Sequence, residues 1–253
     1  MRLFFLIFIF TFTKNIYCNS PAEVKYVYLE NISIMDMPSA GIMPEDHFII
    51  NFVIQSNSTT LLDLCLFSYN NFNFGISYSV NNLIGNRTIE LQKYPAINLK
   101  YKIINDHNSN FGLALGFSNQ GKGEYFKSKD RHQIHSPGFF LVSDKSFQWL
   151  LGYTGLNAGL NYSLDNESEK NKLNLYFGLN QLIYKNLTFT TEFNSNINES
   201  NLNDSNGAIL NFAIGYYLGD MTFDLQFKNL IGKLNPINLY SIALRFEYIG
   251  NFK

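Results

Sequence analysis

The chain is short of charge, cysteine and long apolar runs. Only 15% of its 253 residues are charged and the formal net charge is −1, so it has neither the basic footprint of a nucleic-acid binder nor an acidic tail. Two cysteines, Cys18 and Cys65, exclude a disulfide scaffold, and if Cys18 lies in a discarded leader no internal bridge is left. Four histidines show no metal-ligand spacing, and no cofactor motif accompanies them. Gly121 and Gly123 in "NQGKGEYF" lack the strand-to-helix context of a phosphate cradle, so a structural turn is expected there. After residue 13 no window reaches the roughly 18 to 20 apolar residues of a spanning helix. A mean hydropathy of −0.08 is also too polar for a helical membrane protein.

The chain does have an export signal and a strand rhythm. "MRLFFLIFIFTFTKNIYCNS" opens with Arg2 and an apolar core from Leu3 to Thr13, the pattern of a secretory signal peptide over residues 1–19. Cys18 lacks the small preceding residues that a lipoprotein site prefers. Residues 20–46 then form a segment in which Pro38 and Pro44 break regular structure and Ile32, Ile34, Met35 and Met37 need cover. This segment is expected to lie against the periplasmic mouth of the region C-terminal to it, or to enter that region as a plug.

From residue 47 to 253 the period is two. "FNFGISYSV" opposes Phe72, Phe74, Ile76, Tyr78 and Val80 to Asn73, Gly75, Ser77 and Ser79. "NLYSIALRFEYIGNFK" opposes Tyr240, Ile242, Leu244, Phe246 and Tyr248 to Ser241, Ala243, Arg245 and Glu247. Twelve strands are expected, starting near Phe48, Leu61, Phe72, Ala96, Asn110, Gly138, Leu151, Leu173, Leu187, Ala208, Met221 and Leu239. Their links alternate. Short ones fall at Asn70-Asn71, Asn105 to Ser109, Ser146 to Leu150, Tyr184 to Asn186 and Gly219-Asp220, and longer polar ones lie between them. Short turns at one rim and long loops at the other describe an outer-membrane barrel. The polar face is built of Gly, Ser, Asn, Ala and Thr. That suits a hydrated lumen, and the Phe-, Leu- and Ile-rich face suits lipid, where only a closed barrel satisfies every backbone group. The expected fold is therefore all-β: an antiparallel transmembrane β-barrel of about 12 strands in the bacterial outer membrane.

Charges on the inner face are the candidate lumen lining: Asp63, Lys100, Lys102, Glu192, Asp224, Lys228, Arg245 and Glu247. They can pair across the wall or select ions. Twelve strands lie between the filled eight-stranded and the open sixteen-stranded barrels, and a largely filled lumen is the favoured expectation. His135 beside Ser136, with His132 and Asp130 near, invites a serine-hydrolase reading. Neighbours on an extended segment point apart, however, and no Gly-x-Ser-x-Gly elbow exists. No catalytic residue, metal or cofactor is expected.

Several stretches resemble the YjbH-like family of outer-membrane proteins associated with exopolysaccharide production. They are "MPSAGIMPEDHF" (37–48), "FGISYSVNNLIG" (74–85), "PAINLKYKIIND" (95–106), "LALGFSNQGKGEYF" (113–126), "DRHQIHSPGFFLVSDK" (130–145) and the spacing from Thr154 to Asn180. Asp130, Arg131, Ser136, Pro137 and Gly138 carry the most specific part of the likeness. The resemblance implies the barrel, the compartment, outer-membrane lipid as surroundings, and envelope or polysaccharide-export proteins as partners. The expected function is a non-enzymatic component of such export machinery. A general diffusion porin is the alternative, and a barrel hydrolase a minor one.

Overall fold

The computed structural model describes residues 31–55, 58–105, 110–149, 152–165, 172–184, 186–198, 207–231 and 242–252. The expected signal peptide, residues 20–30, Leu151, Leu239, Ser241 and Lys253 lie outside them. Fifteen strands follow in order: β1 (His47–Gln55), β2 (Thr60–Tyr69), β3 (Phe72–Asn81), β4 (Glu90–Leu91), β5 (Ala96–Ile104), β6 (Gly112–Ser118), β7 (Lys122–Phe126), β8 (Arg131–Ile134), β9 (Gly138–Trp149), β10 (Gly152–Tyr162), β11 (Leu173–Ile183), β12 (Leu187–Asn194), β13 (Ile209–Leu218), β14 (Met221–Phe227) and β15 (Ile242–Asn251). No helix occurs among the described residues.

Twelve of these strands form a closed antiparallel ring: β1, β2, β3, β5, β6, β9, β10, β11, β12, β13, β14 and β15. Closure is made by β1 on β15, with His47 opposite Asn251 and Gln55 opposite Ala243. A closed ring leaves no unpaired strand edge, which is what lets strands cross lipid. β4 only extends β3, and β7 pairs with β8 as a separate hairpin.

Burial is inside out. In β3 Asn73, Gly75, Ser77, Ser79 and Asn81 are buried while their apolar neighbours are not. In β14 Thr222, Asp224 and Gln226 are buried and Phe223 and Leu225 are exposed. The outer surface is a band of Ile97, Leu115, Leu160, Phe177, Leu225 and Leu244, all exposed. Exposed Tyr69, Trp149, Tyr153 and Tyr184 ring the short-turn rim, and Phe139 faces Tyr162 across the ladder at the other. Such aromatic girdles mark the two lipid–water boundaries of a membrane barrel. The molecule is a transmembrane β-barrel.

The turns follow from their residues. Asn70 and Asn71 both take left-handed backbone (φ 48° and 66°), as a two-residue hairpin turn requires and as Asn tolerates. Two expectations are corrected. Ser146 to Trp149, expected in a link that ran to Leu150, continue β9 in unbroken register with β10, while Leu150 lies outside the described residues; their alternating polar and aromatic residues pair as well as those of the rest of the strand. Nor is "NQGKGEYF" merely a turn, since Lys122–Phe126 is β7. Within a long loop, a short hairpin buried against other loops leaves no strand-length period to read.

Candidate functional site: the occupied lumen

Residues 31–46 are folded back inside the barrel. Pro38 and Ser33 form an isolated bridge, and Ile34 N donates to Met37 O at 2.8 Å, so the segment is a tight hairpin with its tip at Met35–Asp36–Met37. At the tip three successive N–H groups, of Met35, Asp36 and Met37, donate to one carboxylate oxygen of Glu192 at 3.0, 2.9 and 2.9 Å. Converging amides of this kind form an anion-binding concavity. Asp36 reaches past Glu192 to an ion pair with Lys228 at 2.6 Å, and Asn211 donates to both Asp36 (3.3 Å) and Glu192 (3.0 Å). Lower down, Lys100 Nζ donates to the carbonyls of Ile32 and Gly41. Near the short-turn rim, Ser68 Oγ donates to Met43 O, and Asn70 N to Glu45.

Apolar packing complements this polar clamp. Ile34, Met37 and Ala40 bury against Ala114, Phe140, Val142 and Tyr176 of the inner wall, while Met43 packs with Ile49, Cys65 and Ile249. Gly178 is opposite Glu192 in the β11–β12 ladder, and a Cβ there would stand 2.6 Å from Ile34 Cδ1. One wall position supplies the space and its cross-strand partner supplies the acceptor. A cavity of about 90 Å³ is left beside the hairpin, lined by Asp63, Lys100, Lys122, Asn98 and Ser118 among others. That is room for a few water molecules.

The eight candidate lining charges all face inward, but they serve different ends. Lys100, Glu192 and Lys228 hold the hairpin. Arg245 pairs with Asp224 across the β14–β15 ladder and lies 3.9 Å from Glu247 on its own strand, which makes this trio a bracing network in the wall. Asp63 accepts from Asn98 at 3.0 Å at the cavity, and Lys102 is fully buried.

The loop that carries Asp130 to Gly138 packs at the long-loop mouth. Asn81, at the end of β3, clamps Tyr125 of β7 by accepting from its N (3.1 Å) and donating to its O (2.8 Å). Ile134 of β8 packs on Ile209 at the start of β13, nearly opposite in the ring. His132 is enclosed by Gln92, Gln120, Ser79 and the Gly123 carbonyl. Burial pushes its pKa down to about 4, against the pull of that carbonyl, so it is neutral at physiological pH. Asp130 takes a left-handed backbone (φ 52°), accepts from Tyr125 Oη and pairs with Lys93 at 3.2 Å. Arg131 is buried and donates to the His132 carbonyl at 3.3 Å. Pro137 O accepts from Asn161 at 3.0 Å. Gly138 has φ 65°, and a Cβ there would lie 2.0 Å from Tyr162 O, so only glycine fits.

Ser136 and His135 are not a nucleophile and its base. Asp165 stands between them, accepting from Ser136 Oγ (2.7 Å), Ser136 N (2.9 Å) and His135 Nδ1 (3.1 Å). Hydrolysis needs the histidine between serine and carboxylate. Burial opposes the Asp165 charge, but the hydrogen bonds from His135 and Ser136 outweigh it and hold the carboxyl below its usual range. The cluster staples the mouth loop to the end of β10. Among the described residues no group of three His, Cys, Asp or Glu is placed to hold a metal ion.

The chain matches no family model and no curated protein. Its fold is similar to that of solved porins. With the KdgM porin the TM-score is 0.44 at 13% identity, over 82% of this chain and 99% of that one. With the NanC porin it is 0.41 at 10%, over 81% and 99%. With the outer membrane protein Omp33 of Acinetobacter baumannii it is 0.41 at 8%, over 81% and 96%. At these scores the architecture rests on the chain's own closed ladder.

Asp36, Gly178, Asn211 and Asp165 are the site residues that sequence reasoning missed. Asp36 lies in a segment without periodicity, and its partners are 175 and 192 positions away. The sole signal was the unexplained run of buried-type residues around it, Ile34 to Met37.

Proposed function

We propose that the chain is a non-enzymatic channel of the bacterial outer membrane for small polar solutes, held closed when the hairpin occupies the lumen. The observation that carries this reading is the lumen itself. A wall dressed in Asn, Gln, Ser, Thr and paired charges is suited to water, and it is filled by a separate segment rather than by its own side chains. A barrel narrow enough to be filled by its own side chains needs no such segment. The closed ladder and apolar belt support an outer-membrane location.

A second reading, a component of cell-envelope or exopolysaccharide export, draws on the resemblance of residues 37–250 to the YjbH-like family, and envelope partners belong to it. Swelling of proteoliposomes in isosmotic sugars separates the two. A channel lacking residues 21–45 admits pentose- and hexose-sized solutes with a graded size limit. Absence of swelling with every sugar, from a correctly folded barrel, contradicts the channel and favours the export component.

A further inference from the structure

The wall around the hairpin is complete without it. All twelve strands pair with one another, and among the described residues no strand ladder joins residues 31–46 to the ring. The attachments at the tip are made by side chains: Glu192 to three amides, Lys228 and Asn211 to Asp36. These groups are well hydrated when water replaces the hairpin, so release breaks no strand pairing and strands no backbone group. Its apolar side fits one preformed seat, the space left by Gly178 for Ile34, next to Ala114, Val142 and Tyr176. Specific docking on a self-sufficient wall is the arrangement of a movable element.

We propose that residues 31–46 are a releasable gate, latched at its tip by the Gly178–Glu192 seat and the Asp36–Lys228 ion pair, and that withdrawal toward the short-turn rim opens the lumen. The direction follows from the chain path. Residue 46 joins β1 at that rim, and Asn31, at the other end of the hairpin, is bonded to Tyr217 Oη near the same rim at 3.2 Å, so the tip is the innermost part of a loop with both ends on one side. The proposal deepens the channel reading by naming what closes it.

Cys65 offers a native reporter. It faces the lumen, is 7% exposed, and is covered by Met43 and Ile32 from the segment itself. In a Cys18→Ser background it is the one thiol, and its modification by a membrane-impermeant methanethiosulfonate reports departure of the hairpin whether or not solute flows. Asp36→Ala removes the ion-pair part of the latch from the hairpin side and leaves the wall's own sequence unchanged. Gly178→Leu fills the seat from the wall side. Scoring only protein that retains heat-modifiable migration removes any misfolded fraction.

Both variants are expected to label about tenfold faster than wild type or more, the shift of a local opening destabilised by one lost buried interaction. Deletion of residues 21–45 sets the upper rate. Labelling of both variants at the wild-type rate, with the deletion fast, overturns the latch. A deletion that labels no faster than wild type overturns the gate altogether. Rapid labelling of the variants without conductance leaves the gate standing and overturns the channel reading instead, so the two failures are distinct.

Discussion

Arg245 is buried in β15 between Asp224 across the ladder and Glu247 on its own strand. A charge held this way braces the wall, because removing one partner strands the others in a confined interior. Arg245→Met is expected to cost roughly 3 to 5 kcal/mol in reversible unfolding from micelles. Adding Asp224→Asn and Glu247→Gln recovers most of that loss, and a single substitution as mild as a surface change would show that the trio is hydrated. The inward direction of Arg245 was legible in the sequence, since period two assigns every residue of a strand to one face or the other. Its partners were legible only in part. Asp224 and Arg245 face each other because consecutive strands are neighbours, whereas Glu192 meets Met35 across 157 positions, and nothing local encodes that. Gly178 reads in sequence as one more small residue of the wall; its meaning comes from Ile34, which sits in an aperiodic segment.

At the scale of elements, the β7–β8 hairpin packs at one mouth and the N-terminal hairpin occupies the lumen below it. The first depends on a neutral His132. Its folded pKa, about 4, lies below the ordinary value near 6.5. Between those two values the opened loop binds a proton that the closed loop does not, so closure weakens as pH falls from about 6.5 toward 4 and levels off below that. Asp165 nearby favours the protonated form and Lys122 opposes it, and neither cancels the effect of burial. Protease cleavage after Lys127 and Lys129 in detergent is expected to accelerate across that window. His132→Gln, which keeps hydrogen-bonding capacity without the titration, should flatten the profile; a profile equally steep in the variant would assign the effect elsewhere. The twelve wall strands were legible from alternation and loop rhythm, and all twelve expected starts fall within a few residues of the strands of the ring or just outside the described residues. The mouth hairpin was not, because four- and five-residue strands inside a polar loop are too short to show a period.

On the scale of the whole molecule, a membrane barrel with a polar lumen is joined to a segment that occupies it. Purified protein is expected to need detergent, to give a β-rich spectrum and to migrate differently when unheated, as closed barrels do. The inside-out surface demands this: an exposed belt of Leu, Ile and Phe is far larger than the apolar patches soluble monomers carry. Whether the segment closes the lumen is decided by planar-bilayer recording of the wild-type chain beside the form lacking residues 21–45. The wild type is expected to be closed most of the time, and the deleted form to show long-lived open states of severalfold higher mean conductance. Equal conductance in the two forms would contradict a gate, because the lumen would then be open or shut regardless of the segment that fills it.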